Sequence, residues 1–462
     1  MSKQETAQRP VRPGQEITVT VHGLGSSGEG VARYEGMTIF VPGGAPGDRL
    51  LARVQEVKKN YARAALVRVE EPSPDRVASP CPVVGECGGC QLQHIAYAAQ
   101  LRLKRQQVAD ALERLGKLSG VTVHPTLGMA DPWHYRNKAQ FPVGWRAGRV
   151  IAGFFAPGTH RVVDIDQCQI QHPLGNRIMA EVKALAERYG VRIYDERTHT
   201  GVLRHVLARV GRGTGEAMAV LVTNGPDFPH GREIARELMA RIPGLVSVVQ
   251  NINPARTNVV LGRESRVLAG KEHITDYIGD LEFKISPVSF FQVNPAQTEV
   301  LYGKALEYAG LTGTETVIDL YCGIGTISLF LARRCREVIG IEWVEEAVAD
   351  ARQNAALNGI QNARFIAGDA AVEMPRLAGK GVRADVIVLD PPRKGCDEPV
   401  LEAVARMAPR RVVYVSCNPA SLARDLGRLA GMGYRTAEVQ PVDMFPHTAH
   451  VECVARVERE EG

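Results

Sequence analysis

The sequence predicts a multi-domain α/β protein in three parts: an N-terminal OB-like β-barrel, a mixed α/β central domain and a C-terminal doubly wound, Rossmann-like domain. Three observations point there. Residues 15–70 alternate apolar and polar positions between Gly and Pro punctuation, the pattern of short half-buried strands. Cys81, Cys87 and Cys90 crowd into one stretch after a Pro-rich connection. Residues 287–460 alternate strand and helix patterns, as chains that build parallel sheets covered by helices do. At 462 residues the chain has room for several domains of about 100–200 residues each. Hydrophobic residues make up 45% and charged ones 23%, which excludes wholesale disorder. The net charge of +5 permits an anionic partner without requiring one. No run of about 18 apolar residues appears, so no membrane span is expected. The polar start MSKQETAQRPVRPGQE lacks the apolar core of a signal peptide. A cytoplasmic protein is expected, whose nine cysteines stay out of disulfides.

Taken in order, residues 1–13 read as a flexible tail. EITVTVHGLG, VARYEGMTIFVPG, DRLLARVQEV and YARAALVRVEE give four or five short strands, enough for a compact barrel over 14–72. Arg49, Arg53, Lys58, Lys59, Arg63 and Arg68 lie on these strands and turns; they form either one basic surface or a solvated polar face. The central domain is expected over 75–285. Within it, AAQLRLKRQQVADALERLG (98–116) sets Leu101, Val108, Leu112 and Leu115 near helical spacing. That predicts an amphipathic helix, free to pack on the C-terminal domain. VSVVQNIN and TNVVLG read as strands near a hairpin.

The C-terminal domain (286–460) carries the chemistry. TVIDLYCGIGTISLFLARRC (316–335) is an apolar strand, a glycine turn and a helix. Gly323 and Gly325 let the backbone approach a ligand closely. The next strand, VIGIEWV, holds the acid Glu342, 19 residues after Gly323, where nucleotide-binding folds place a ribose ligand. Ser328 breaks the full dinucleotide fingerprint, and the P-loop Lys is absent. DLYCGIGT resembles the first motif of S-adenosylmethionine-dependent methyltransferases. ARFIAGDA ends in Asp369, either an adenine contact or a turn cap, and ADVIVLDPPRKG ends in Asp390. RVVYVSCNP delivers Cys417 to the same sheet edge, and DMFPHTAHVECVARV offers Glu452 between apolar neighbours as a base whose pKa burial would raise. His447, His450 and Glu452 match zinc signatures poorly. Arg393 follows Asp390-Pro391-Pro392, where amine methyltransferases carry an aromatic residue to stack the base.

FFQVN, DLYCGIGT, LDPPRKG, VSCNP and DMFPHTAHVE, five motifs in the family's order, resemble the RNA uracil-5-methyltransferases, above all the bacterial 23S ribosomal RNA enzymes, and the resemblance spans nearly the whole chain. The resemblance implies Cys417 as nucleophile and Glu452 as base. It implies S-adenosylmethionine contacts at Gln292, Tyr321, Glu342 and Asp390, with Asp369 and Thr326 as further contacts, and Arg393 and Lys394 as holders of substrate phosphates or base. The barrel resembles a TRAM domain, which tips its basic residues towards RNA. HYRNKAQF (134–141), near Trp133 and Trp145, resembles a central-domain segment suited to unpaired bases.

CPVVGECGGC with the distant Cys168 is a soft-ligand pattern that fits zinc or an iron–sulfur cluster, and spacing does not choose between them. The resemblance implies a [4Fe-4S] cluster on Cys81, Cys87, Cys90 and Cys168. A radical enzyme is disfavoured, because a fourth Cys closes the cluster to the cofactor. The leading expectation is methylation of a uridine in ribosomal RNA through a covalent Cys adduct. The rivals are the same chemistry on transfer RNA and a non-catalytic iron–sulfur RNA-binding protein. No obligate protein partner is expected.

Overall fold

The computed structural model describes residues 9–460. Strands β1 (Glu16–Leu24), β2 (Gly30–Tyr34), β3 (Met37–Val41), β4 (Arg49–Val57) and β5 (Tyr61–Glu71) close into a barrel in the order β1-β2-β3-β5-β4. Alternation drives this. Ile17, Val19, Val21, Ile39, Leu50 and Val54 point inward and share one core, and closure removes the exposed strand edges. Val11 is buried in that core, so the tail expected over 1–13 is anchored by residue 11; residues 1–8 lie outside the described residues. The basic surface is partly neutralised. Arg49, Arg53, Lys58 and Arg68 each pair with a barrel carboxylate.

Helix α1 (Tyr97–Arg114) and the short β6 (Thr122–Val123) follow the cysteine segment. Val108 and Leu112 of α1 share a core with Leu422 and Leu426 of the C-terminal domain. A seven-stranded sheet comes next, built from β7 (Lys138–Arg146), β8 (Arg149–Phe155), β9 (Val162–Asp164), β10 (Leu203–Val210), β11 (Ala217–Thr223), β12 (Leu245–Ile252) and β13 (Glu264–Gly270). Helices α2 (Pro173–Arg188) and α3 (Gly231–Arg241) cover one face, where Val206, Ala208, Ala219 and Leu221 are buried with them. The opposite face sends Leu207, Met218 and Val220 into the core of the C-terminal domain. Strands β10 and β11 are therefore buried on both faces; β11 reads as a near-continuous apolar run, while β10 also buries Arg204, His205 and Arg209.

TNVVLG is not a strand; the partner of β12 is β13. Asn253 Nδ2 donates to the carbonyls of Val259 and Val260, and Gly262 N donates to Asn251 Oδ1. Those side-chain bonds satisfy the loop backbone that a strand ladder would otherwise use.

The hairpin β14 (Ile274–Ile278) and β15 (Leu281–Ile285) packs Ile274, Ile278, Phe283 and Ile285 into the C-terminal core. Then follow α4 (Pro295–Ala309), β16 (Thr316–Leu320), α5 (Thr326–Ala332), β17 (Glu337–Glu342), α6 (Glu345–Leu357), β18 (Ala363–Ala367), α7 (Ala370–Gly379), β19 (Val386–Leu389), α8 (Glu398–Met407), β20 (Arg411–Ser416), α9 (Pro419–Ala430), β21 (Tyr434–Val442) and β22 (Glu452–Arg459). The sheet order is β18-β17-β16-β19-β20-β22-β21-β6. Strands β16 to β20 run parallel. The last strand, β22, inserts antiparallel between β20 and β21. That insertion brings the start of β22 to the edge where β20 stops. No helix among the described residues is long and apolar enough to cross a membrane.

Candidate active site

The sheet order reverses between β16 and β19, which opens a crevice at the carboxyl ends of those strands. The turn after β16 lines it. Tyr321, Gly323 and Gly325 all have positive φ, at 67°, 53° and 84°. A Cβ on Gly325 would stand 3.1 Å from the Phe365 ring and 3.2 Å from Ala351, whereas Gly323 faces open space. Tyr321 holds a conformation that disfavours any side chain by about 1–3 kcal/mol, the kind of strain found at ligand-binding turns. Glu342 is buried and ties the turn to β17, accepting from Gly323 N at 3.1 Å and Val344 N at 3.0 Å.

Two carboxyls stand at these strand ends, the half-buried Asp390 and the fully buried Asp319. Burial pushes Asp390 up to about 7. Burial likewise pushes Asp319 up to about 7, with Asp390 and Glu342 adding repulsion and the Ser328 hydroxyl opposing it. Ser328, the residue that breaks the dinucleotide pattern, donates to Asp319 Oδ2. On the other wall Tyr302 of α4 is buried, with its hydroxyl 3.0 Å from Thr326 Oγ1 and beside the Gln292 side chain. Asp319 and Tyr302 were not singled out by sequence reasoning. The first stands inside DLYCGIGT; the second has no motif around it. Asp369 is exposed and caps α7, accepting from Ala371 N at 2.8 Å.

Cys417 and Glu452 meet at the same edge. Ser416 pairs with Cys453 across β20 and β22, so the next position in register sets Cys417 opposite Glu452. Glu452 is 5% exposed. Its burial, with repulsion from Asp390, pushes its carboxyl up to about 8, against the pull of Arg393. Cys417 is half-buried, and burial followed by the Glu452 and Asp390 carboxyls pushes its thiol up to about 11. Arg393 opposes this, and Cys417 directly precedes Asn418, the N-cap of α9, where the helix dipole favours a thiolate. Asn418 Nδ2 donates to Arg393 O at 3.0 Å, which fixes the Asp390–Gly395 loop beside the thiol. Arg393 also reaches His450 Nε2 at 3.3 Å, and Lys394 pairs with Asp397. The site thus holds a thiol, a high-pKa carboxyl and a guanidinium at the mouth of a nucleotide-type crevice.

A family model described as tRNA (Uracil-5-)-methyltransferase matches residues 259–460, and one described as TRAM domain matches residues 10–67. The chain is 55% identical over 458 residues to a protein of Halalkalibacterium halodurans named an uncharacterized RNA methyltransferase, covering 99% of each. A Bacillus cereus protein of the same name is 51% identical over 452 residues, covering 98% of each. The chain belongs to the RNA uracil-5-methyltransferase family. The solved structure of Pyrococcus abyssi tRNA (uracil-54, C5)-methyltransferase, in complex with S-adenosyl-L-homocysteine, superposes with a TM-score of 0.76 at 28% identity, over 96% of this chain and 100% of that one.

This RNA methyltransferase gathers its four expected cluster cysteines in one place. Cys81, Cys87 and Cys168 all act electrostatically on one another or on Cys90. Burial and these neighbouring sulfurs push the Cys90 thiol up to about 12, and burial raises Cys87 and Cys168. All four are free thiols. The donor set is all sulfur, which suits a soft metal. Closed ligand geometry is not formed: among the described residues no group of three or more His, Cys, Asp or Glu is arranged to hold a metal ion. His447 stacks on Trp133 at 3.8 Å, whereas Trp145 is 60% exposed at the β7–β8 turn, so the two tryptophans have separate roles.

Proposed function

We propose that this methyltransferase transfers the methyl group of S-adenosylmethionine to carbon 5 of a uridine in 23S ribosomal RNA, in the cytoplasm, through a covalent bond to Cys417. The observation that carries this is the register of β20 and β22, which sets the Cys417 thiol against the buried Glu452 carboxyl beside Asp390. Gln292, Tyr321, Thr326, Glu342, Asp369 and Asp390 line or flank the crevice where the cofactor would lie. The bound sulfonium supplies an electrophilic methyl group.

The residues of this chain do the rest. Carbon 5 of uracil is a weak nucleophile. The Cys417 thiol gives its proton to solvent and adds as thiolate to carbon 6, forming a C–S bond and making carbon 5 an enolate carbon; carbon 5 takes the methyl group, and the electrons of the broken S–CH3 bond stay on the donor sulfur. The Glu452 carboxylate then accepts the carbon-5 proton. The C–H electrons restore the ring double bond, and the C–S electrons leave with Cys417 as thiolate. A base near neutral pKa fits that proton transfer, and a buried carboxyl at about 8 is close to it. Arg393 stands beside both groups and is positioned to hold uracil oxygen or phosphate.

We further propose that Cys81, Cys87, Cys90 and Cys168 hold a [4Fe-4S] cluster with a structural or RNA-positioning role. Visible absorption with matched iron and sulfide content tests it, and a colourless, iron-free native protein overturns it. Transfer RNA is the second reading, favoured by the likeness to the P. abyssi enzyme. Mapping 5-methyluridine in ribosomal and transfer RNA of a deletion strain decides between them. Loss from 23S RNA alone supports the first reading, and loss from transfer RNA alone overturns it.

A further inference from the structure

The base directly follows a loop, residues 443–451, that bonds within itself and to α4 and is also held by segments before the catalytic domain. Gln100 of α1 is fully buried and bonds this loop with both ends of its amide. Its Oε1 accepts from His447 N at 3.0 Å, and its Nε2 lies 3.2 Å from His447 Nδ1. The same Nε2 donates to Leu92 O at 3.0 Å and Ile95 O at 2.8 Å, in the turn just after the cysteines. From that turn Gln91 N and Leu92 N both donate to His447 O, at 3.1 and 2.9 Å. Gln91 Oε1 accepts from Ala449 N at 3.4 Å, while its Nε2 donates to Gly88 O at 2.9 Å. His447 itself has φ 67°, a conformation it keeps only if its surroundings impose it.

The central domain adds Tyr135, whose hydroxyl donates to Pro446 O at 3.0 Å, and the Trp133 ring stacked on His447. The barrel touches the same spot: a Cβ on Gly28 would stand 2.8 Å from Gln91 Cβ and 3.2 Å from Ala449 Cβ. The barrel, the post-cysteine turn, α1 and the segment just before β7 therefore converge on the few residues that precede Glu452. None of these contacts is part of the β20–β22 pairing, which starts at Cys453.

We infer that Gln91 and Gln100 are positioning residues for the base: an amide clamp that ties the post-cysteine turn to the loop leading into Glu452. The inference rests on the reading of Glu452 as base. A base displaced by about 1 Å loses up to about 100-fold in rate, and the loss falls on the step the base serves. Adduct formation and RNA binding use other groups.

The test uses the full-length protein with labelled S-adenosylmethionine and an unmodified RNA substrate. Gln100→Leu removes the clamp bonds, Gln100→Glu keeps the acceptor for His447 N, and Gln91→Ala probes the same loop from the half-buried turn. In Gln100→Leu and Gln91→Ala, kcat is expected to fall about 10- to 100-fold, KM for RNA to fall with it because adduct breakdown becomes limiting, and methylated Cys417–RNA adduct to accumulate. Gln100→Glu is expected to recover part of the rate. If Gln100→Leu does not fold, Gln91→Ala alone decides. Folded variants that turn over like wild type, or that raise KM without adduct accumulation, overturn the clamp. A wild-type protein that methylates no RNA, or a Cys417→Ala variant that still methylates, overturns the base reading instead.

Discussion

Glu452→Gln is expected to stabilise the protein while abolishing turnover, and to do so more strongly as pH rises. In the folded chain burial and Asp390 hold the carboxyl at about 8; the ordinary value is 4.5. Below pH 4.5 both states are protonated and the residue is neutral in the balance. Between 4.5 and 8 the unfolded chain ionises and the folded one does not, so stability falls as pH rises, and above 8 the loss is complete. At about 1.4 kcal/mol per pH unit, the gap amounts to about 5 kcal/mol. Glutamine keeps the shape and cannot ionise, so it removes this penalty. Urea unfolding of both proteins at pH 5 and pH 8.5 reads it directly. The advantage of Glu452→Gln is expected to be about 1 kcal/mol at pH 5 and about 4–5 kcal/mol at pH 8.5. An advantage that stays constant or shrinks with pH would refute a buried, high-pKa base at this position.

Other consequences are as concrete. Lys104 is 1% exposed and donates to the fully buried Asp443 at 2.6 Å; Lys104→Met strands that carboxylate and is expected to lower stability by about 3–5 kcal/mol, while the double change Lys104→Met with Asp443→Leu recovers much of it. A single variant as stable as wild type contradicts the pairing. Gly325→Ala pushes a methyl towards Phe365 and Ala351 at positive φ, so calorimetry should show S-adenosylmethionine binding weakened about 10-fold or more, for about 1–3 kcal/mol of strain; unchanged binding contradicts the cradle. Decay of methylated adduct to product in single turnovers is expected to speed up with pH and level off near 8, where Glu452 becomes carboxylate. A rate that falls across pH 6–8 removes Glu452 from the base role.

Local patterns made much of this readable in the sequence. The strand–glycine turn–helix of 316–335 needs only neighbours in the chain, and so does a Cys where an apolar strand ends at Asn418-Pro419. What could not be read depends on pairing between distant segments. Nothing local says that β22 inserts between β20 and β21, yet that order alone puts Cys417 opposite Glu452. Lys104 and Asp443 are 339 positions apart, so a fully buried lysine on α1 looks like one more charge on an exposed helix face. Tyr302 joins Gln292 to Thr326 only once α4 has packed on the sheet. TNVVLG has strand composition, but the Asn251 and Asn253 side chains claim its backbone. The Asp369 carboxyl was ambiguous between cap and ligand because one short side chain can do both; its cap bond is formed.

The central claim is that Cys417 forms a covalent bond to uracil. Incubating the protein with S-adenosylmethionine and 5-fluorouridine RNA tests it most directly, because fluorine at carbon 5 cannot leave as a proton and the adduct cannot resolve. The expected result is a stable protein–RNA complex whose mass-mapped crosslink is Cys417, absent from Cys417→Ala. No adduct with any RNA, or one that persists in Cys417→Ala, would contradict it.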